Sequence, residues 1–252
     1  MFHLYGFILG LAAVLGTTLI YHQAKLRQFS ASELDRLAPW IIIAGIIGAR
    51  LYHVVTSGGY YLDDVVAIFK VWQGGLSVIG AIIGGVTGAA LGLKTGRFAI
   101  RLGQLLDLSI YGVPIAQAIG RVGNYVNQEL YGLPTTVPWG IYIDPQNRLQ
   151  GYEGNERFHP LFAYEMIGTA AFGGVLWLLS SRGKVAKIGH GKIFLLYVVY
   201  YSFLRAALDL LRPDKAVIPG TVLGLNQVLL VILGISALLY LILVMQRKRN
   251  AT

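Results

Sequence analysis

Seven long apolar stretches, separated by polar connections, dominate this sequence. Their approximate limits are 2–21, 39–56, 71–93, 104–126, 161–180, 193–211 and 222–245. A helix of about 20 apolar residues crosses a hydrocarbon core of roughly 30 Å, and each stretch is close to that length. Because backbone groups in lipid must be satisfied within the protein, such stretches predict helices. We expect an all-α integral membrane protein with seven transmembrane helices, forming a single transmembrane domain over residues 1–252.

Composition supports a lipid environment and excludes several kinds of site. Charged residues make up 13% of the 252 residues, against about 25% in soluble domains. The chain has no cysteine, which excludes disulfides, thiolate metal sites and a cysteine nucleophile of its own. The sequence shows no metal-ligand spacing of His or acidic residues, no phosphate-binding glycine loop and no serine nucleophile elbow. We therefore expect neither a metal-dependent nor a covalent serine mechanism.

The net charge of +9 is distributed in a way that indicates membrane topology. Four polar segments that would share one side carry 13 of the 21 basic residues, within 25–36, 94–101, 182–192 and 247–249. Cytoplasmic loops are enriched in Lys and Arg, so this side is expected to be cytoplasmic. The rule places the C-terminus in the cytoplasm and the N-terminus outside. Because topology accounts for most of the positive charge, we expect no nucleic-acid partner.

The longest polar interval, about 127–160, contains Pro134, Pro138 and Pro145. Proline and glycine at this density predict an ordered loop or small cap on the outer side. Near the span ends, Trp72 and Trp139 are typical of interfacial anchors.

Two features of the spans concern the packing and the shape of the helices. Glycine recurs every four residues in the third stretch, at positions 80, 84, 88 and 92, which predicts a smooth face for a neighbouring helix. Pro114, inside the fourth stretch, predicts a kink.

Three arginines, Arg50, Arg121 and Arg205, lie within or at the edge of apolar stretches. A charge near the bilayer centre costs about 3 kcal/mol on insertion scales, so each needs a partner or a water-filled cavity. A helix would place Arg121 on one face with Gln117, Asn124 and Gln128. The planar guanidinium group of Arg121 matches the spacing of two phosphate oxygens. An equally acceptable alternative is an ion pair between Arg121 and Glu129 that closes the helix end.

Arg205 belongs to a second polar group, with Tyr201, Asp209 and Arg212 on the same side of the sixth span. The four-residue spacing from Arg205 to Asp209 predicts an intrahelical ion pair. A self-neutralised stripe between helices is one interpretation. The excess of positive charge favours an anionic ligand instead.

A third group, His159 with Glu165, lies where the polar interval returns to the membrane. The histidine is typical of a hydrogen-bonded anchor, and Glu165 could either neutralise an arginine or act as a base. Residue types alone leave a phospholipid-headgroup site and an anion-conducting transporter as alternatives.

The order and spacing of several short motifs resemble the prolipoprotein diacylglyceryl transferase family. The stretch Gly120–Gly132 is similar to that family's hallmark segment, and further similarities extend almost from end to end. They are Tyr5-Gly6, Gly48–Leu51, Trp72–Ser77, His159-Pro160, Tyr164-Glu165, Arg205 and Arg212–Asp214.

The resemblance implies an enzyme of the bacterial cytoplasmic (inner) membrane with its N-terminus outside. Its substrates would be phosphatidylglycerol and the signal peptide of a prolipoprotein. The diacylglyceryl group would pass to the thiol of the lipobox cysteine, the first step of lipoprotein maturation, with release of glycerol phosphate and no cofactor. The competing hypotheses are a non-catalytic lipid or anion transporter and a degenerate member that binds lipoprotein precursors without reacting.

The resemblance also implies roles for individual residues. Arg121, Arg205 and Glu129 would be catalytic. The substrate-binding residues would be Arg121, Asn124, Asn127, Gly132, Tyr5, Glu165 and Asp209.

Several positions depart from the family pattern. Ile79 stands where many members carry a histidine that is a candidate base, and Asp209 replaces a usual Glu. Leu161 and Phe162 replace a common Ser and Gln, and Gln128 replaces a usual Gly.

Overall fold

A computed structural model describes residues 4–57, 61, 64–183, 189–215, 217–221 and 223–249. Its α-helices are α1 (Leu4–Leu26), α2 (Ala31–Thr56), α3 (Val78–Thr95), α4 (Leu102–Ser109), α5 (Val113–Val126), α6 (Leu161–Ser181), α7 (Lys192–Leu208) and α8 (Leu225–Arg249). Short 3₁₀ turns span Val65–Phe69, Val71–Gln73, Pro145–Asn147 and Asp209–Leu211. The strands are β1 (Ile141–Tyr142) and β2 (Arg157–Phe158).

Within the described residues, six helices are long and apolar enough to cross a membrane. They are α1, α2, α3, α6, α8 and α7 with its 3₁₀ extension to Leu211. The prediction of an all-α integral membrane protein is confirmed, and six of the seven apolar stretches correspond to these helices. Residues 2 and 3 of the first predicted stretch, and residue 222 of the last, lie outside the described residues.

The fourth stretch, 104–126, is not one continuous helix. It forms α4 and α5, joined by a turn in which Tyr111 and Gly112 donate amide hydrogen bonds to Leu108 and Ser109. The backbone of Gly112 passes so close to α1 that a methyl group there would lie 2.1 Å from the Gly16 carbonyl oxygen. The predicted kink at Pro114 takes the form of a break, since α4 ends just before Ile110, whose carbonyl would accept from residue 114 in a continuous helix, and proline has no N–H. Pro114 lies in the first turn of α5, where a missing N–H costs little.

The described chain divides into two compact units, residues 24–105 and residues 1–23 with 106–252. In the first unit α2 packs against α3 along the predicted glycine face. Methyl groups at Gly80, Gly84 and Gly88 would lie 2.2, 2.1 and 2.2 Å from carbonyl oxygens of α2. The packing interpretation of this glycine series is therefore confirmed.

The second unit holds α5, α6, α7 and α8, with α6 packed on α5 and α7, and α8 packed on α7. The position of α7 is fixed by the buried carboxylate of Asp107. It accepts hydrogen bonds from the backbone amides of Gly189, Gly191, Ile193 and Phe194 at 2.8–3.1 Å. These bonds satisfy amides at the beginning of the helix that have no partner within it.

The polar interval 127–160 is ordered and contains both strands of the described chain. Its strands β1 and β2 pair antiparallel over a core of Tyr131, Ile143 and Phe158. Gln128 belongs to this interval and not to the Arg121 face, because α5 ends at Val126 and Gln128 has a φ of +51°. Its side chain contacts Asp144 and Asn147 instead.

Candidate functional site

The carboxylate of Glu165, in the second turn of α6, lies at the centre of a buried polar cluster in the second unit. Its Oε1 atom accepts hydrogen bonds from Arg121 Nη2 at 2.5 Å, Tyr201 Oη at 2.7 Å and Gln117 Nε2 at 3.1 Å. Its Oε2 atom forms an ion pair with Arg205 Nε at 3.9 Å. Glu165 is 4% exposed. One carboxylate on α6 thus contacts side chains from both α5 and α7. It pairs with Arg121 and Arg205 and can neutralise only one of the two charges, which agrees with the interpretation of Glu165 as the counter-ion of an arginine.

Arg121 is held from two sides. Besides its bond to Glu165, its Nη1 donates to the side-chain oxygen of Asn124 at 3.0 Å. Asn124 and Asn127 in turn donate to Glu129 Oε1 at 2.8 and 3.3 Å. The alternative of a direct ion pair between Arg121 and Glu129 is wrong, since Asn124 lies between them and Glu165 takes the charge.

Arg205 has far fewer partners than Arg121. Apart from the 3.9 Å ion pair with Glu165, it makes no hydrogen bond within the described residues. The predicted intrahelical pair with Asp209 is wrong, because α7 gives way to a 3₁₀ turn at Asp209. The carboxylate of Asp209 lies 4.0 Å from Arg212 instead.

Arg212, at the end of that turn, is engaged by Asp214. Its Nε and Nη2 atoms donate to the two oxygens of Asp214 at 2.7 and 3.0 Å. This fork raises the pKa of Arg212 and lowers the pKa of Asp214, because it stabilises the charged form of each. Asp209 is fully buried, and its Oδ2 atom has no hydrogen-bond partner among the described residues.

A small pocket that is open to the surroundings lies next to this cluster. Its lining combines three guanidinium groups and one carboxylate with apolar side chains. The lining residues are Arg121, Arg205, Arg212, Glu165, Leu130, Tyr131, Leu161 and Phe162. An excess of fixed positive charge beside an apolar wall suits an anionic amphiphile.

Not every expected site residue lines the pocket. The ring of Tyr5 packs on the backbone of α5, where a methyl group at Gly123 would lie 2.6 Å from it. Gly132 donates its amide to the His159 carbonyl at 2.7 Å, and a methyl group there would lie 2.9 Å from Leu161. Both residues contact elements that form the site, and neither lies among the residues of the pocket wall.

His159 has the contacts of an anchor. Its Nδ1 lies 3.0 Å from the Tyr164 hydroxyl, which also accepts the indole N–H of Trp139 at 2.8 Å. This hydrogen bond is the contact that the anchor interpretation of His159 predicts.

Ile79, which replaces the family histidine, lies in the first turn of α3 in the other unit, with 54% of its surface exposed. Its side chain can neither accept nor donate a proton.

The sequence interpretation missed Tyr197, whose hydroxyl donates to Gln117 Oε1 at 2.6 Å and so fixes the amide that donates to Glu165. The signal was present, because Tyr197, Tyr201 and Arg205 follow one another at four-residue spacing on α7. Leu130 and Tyr131 were also missed as pocket residues. Both residues lie beyond the end of α5, where helical spacing no longer predicts which way a side chain points.

A family model described as prolipoprotein diacylglyceryl transferase matches residues 1–243 of this chain. The chain belongs to the prolipoprotein diacylglyceryl transferase family. Family membership follows from a match that covers nearly the whole sequence, including both compact units.

Individual relatives agree with this assignment. A phosphatidylglycerol–prolipoprotein diacylglyceryl transferase of Cutibacterium acnes is 40% identical over 219 residues, covering 86% of this chain and 72% of the relative. The same-named protein of Acaryochloris marina is 36% identical over 211 residues, covering 84% and 76%. That of Frankia alni is 36% identical over 225 residues, covering 88% and 57%. The chain spans about half the length of this relative and of a Frankia casuarinae relative, of which it covers 48%.

Proposed function

We propose that this protein transfers the diacylglyceryl group of phosphatidylglycerol to the thiol of a lipobox cysteine in a prolipoprotein. The reaction would take place in the bacterial cytoplasmic membrane and be the first step of lipoprotein maturation. The proposal treats residues 1–252 as one transmembrane domain with its N-terminus outside and its C-terminus in the cytoplasm. It rests on family membership and on the chemistry of the pocket.

The observation that carries the proposal is the imbalance of charge in the pocket. Arg121, Arg205 and Arg212 line it, and Glu165 is the only acidic residue among its described lining residues. Arg212 is already paired with Asp214, so the imbalance lies in Arg121 and Arg205, which share the single charge of Glu165.

A phosphodiester carries one negative charge and oxygens that match the guanidinium fork. The apolar wall of Leu130, Leu161 and Phe162 adjoins these cations. An anionic phospholipid satisfies both parts of such a pocket, and a small inorganic anion satisfies only one.

The contacts of the arginines support a division of roles. Arg121 is committed to Glu165 and Asn124, whereas the donors of Arg205 remain available. We assign Arg205 to the phosphate of the bound lipid and Arg121 to the charge that develops during the reaction. Glu129 acts through Asn124, which it holds against Arg121.

The proposed reaction is a displacement at a glycerol carbon. The thiolate of the peptide forms a C–S bond, the C–O bond to phosphate breaks, and glycerol phosphate leaves with the electron pair. Guanidinium groups aimed at the departing phosphate stabilise this charge in the transition state. The thiol proton passes to solvent or to the released phosphate. Glu165 is proposed as a counter-ion and not a base, because its Oε1 already accepts three hydrogen bonds.

The test uses the purified protein in phosphatidylglycerol vesicles with a synthetic signal peptide that contains the lipobox cysteine. Arg121→Ala and Arg205→Ala are expected to abolish formation of the thioether-linked product while the protein remains folded. Arg101→Ala, which removes an exposed arginine outside the pocket, serves as the matched control and should retain activity.

Each alternative function has its own result in this assay. A transporter would move an anion across the vesicle membrane without consuming phosphatidylglycerol. A degenerate family member would bind the peptide without forming a thioether. Full activity of either arginine variant would refute the assigned roles.

A further inference from the structure

The segment between α2 and α3 exposes an unusual amount of apolar surface for a connection that is not a membrane-spanning helix. Its two 3₁₀ turns carry Val65, Val66, Phe69 and Trp72, with 61–77% of each side chain exposed. The charged residues on the turns, Asp64 and Lys70, form an ion pair at 3.1 Å. Among the described residues, the segment therefore presents an apolar surface flanked by one ion pair.

This surface continues onto the helices on both sides. Val55, near the end of α2, is 80% exposed, and Val78, at the start of α3, is 73% exposed. Both helices are candidate membrane spans, so their exposed apolar side chains face lipid. Exposed apolar residues of two candidate membrane spans thus flank the segment.

Irregular backbone enters an apolar environment only when its polar groups are satisfied inside the protein. Arg50 meets this requirement for four carbonyl groups. Its Nε donates to the carbonyl of Ile68 at 2.8 Å, and its Nη1 donates to those of Gly74 and Gly75 at 2.6 and 3.0 Å. Its Nη2 also donates to the carbonyl of Ala67.

Several amide groups of the segment also have partners within the protein. The amide of Ala67 donates to the side chain of Asp64, and the amide of Ser77 donates to the carbonyl of Ala49 in α2. The guanidinium of Arg50 also lies 5.2 Å from the ring of Tyr61, within range of a cation–π interaction. The buried Arg50 thus supplies internal hydrogen-bond donors to a non-helical connection.

We propose that residues 64–79 form an interfacial segment that inserts Phe69 and Trp72 into the headgroup and upper acyl region of the bilayer, with Arg50 as the group that makes insertion possible. The partner is the lipid surface itself. Aromatic side chains are favoured at that depth. Because Lys70 is paired with Asp64, insertion requires no anionic lipid.

The absence of cysteine from the sequence makes this proposal directly testable. Single cysteines at Phe69 and at Trp72 are labelled with an environment-sensitive fluorophore, and the protein is placed in phosphatidylcholine vesicles with or without phosphatidylglycerol. Nitroxide lipids that carry the quencher near the headgroup or deep in the chain report depth, and iodide reports access from water. Ile82→Cys on the exposed face of α3 is the lipid control, and Asn155→Cys in an exposed turn of the polar interval 127–160 is the aqueous control.

Labels at 69 and 72 are expected to be quenched by the shallow nitroxide and protected from iodide, equally in both kinds of vesicle. Adding Arg50→Lys should abolish this protection, because an ammonium cannot supply four carbonyls in a planar fork, while quenching at Ile82→Cys stays unchanged. Iodide access equal to that at Asn155→Cys would overturn the proposal. Protection that appears only after a signal peptide is added would overturn it too, since the partner would then be a peptide.

Discussion

Replacing Glu165 with glutamine removes the one negative charge that Arg121 and Arg205 share, and does so without changing the size of the side chain. The glutamine amide has one oxygen acceptor where the carboxylate has two, and its NH₂ group would face the hydrogen-bond donors that surround the carboxylate. Tyr201 and Gln117 would therefore compete with Arg121 for one oxygen. Two guanidinium groups would be left in a largely buried site without their counter-ion.

The cost follows from the burial of the partners. The side chain of Glu165 is 5% exposed, and those of Arg121 and Arg205 are 20% and 17% exposed. Removing one partner of a buried ion pair costs about 3–5 kcal/mol. Because the amide keeps one acceptor and both arginines retain some solvent, we expect the lower end, about 3 kcal/mol.

The effect on activity should be larger on kcat than on KM. A displacement of about 1 Å in a catalytic group can reduce the rate about 100-fold. Arginines released from Glu165 still attract phosphate, so KM for the lipid should not rise. The exposed residue Glu156, changed to glutamine, is the matched control and should leave both values unchanged.

The assay measures apparent thermal stability in detergent together with transfer rates over a range of pH. A counter-ion role predicts a lower kcat for Glu165→Gln with the same pH dependence as the unaltered protein. Unaltered stability and kcat would refute the role given to Glu165. A changed pH profile would instead indicate that Glu165 is the base.

Three further predictions concern stability and are checked by thermal unfolding in detergent. Asp107→Asn should cost about 3 kcal/mol, because one amide oxygen cannot replace a carboxylate that accepts four backbone N–H groups; an unchanged midpoint would contradict this. Gly84→Ala should destabilise by about 3 kcal/mol, since its methyl group would lie 2.1 Å from a carbonyl of α2, whereas Gly85→Ala, with nothing nearer than 3.6 Å, should be tolerated. Asp214→Asn should lower the unfolding midpoint at neutral pH. The fork from Arg212 lowers the pKa of Asp214 below its ordinary 3.8. The difference in midpoint between the variant and the unaltered protein should therefore persist above pH 3.8 and vanish as the pH falls through the lowered pKa.

The membrane spans were predictable because the run of apolar residues that determines each of them is a local property of the sequence. Six of the seven apolar stretches correspond to single helices, and the glycine series at 80, 84, 88 and 92 identified the face that packs on α2. The interruption between α4 and α5 was predicted only as a kink at Pro114. Its full extent was not predictable, because Ile110 and Tyr111 are as apolar as the residues around them and the close approach of Gly112 to Gly16 joins distant parts of the chain.

The residue types of the site were predictable, and their pairing was not. Spacing along one helix suggested Glu129 for Arg121 and Asp209 for Arg205. Both arginines instead share Glu165, which is 44 positions from one and 40 from the other along the chain. Local spacing favours neighbours on the same helix. It contains no information about which helices pack together, so a counter-ion supplied by a third helix could not be found that way.

The central claim, that this protein joins a diacylglyceryl group to a cysteine thiol, is tested most directly by product stoichiometry. The unaltered protein in phosphatidylglycerol vesicles is given the lipobox peptide, and thioether-linked peptide and glycerol phosphate are measured together by mass spectrometry. We predict one glycerol phosphate for each thioether formed, and neither product when the cysteine of the peptide is replaced by serine. Bound peptide with no thioether, or glycerol phosphate released without one, would contradict the account.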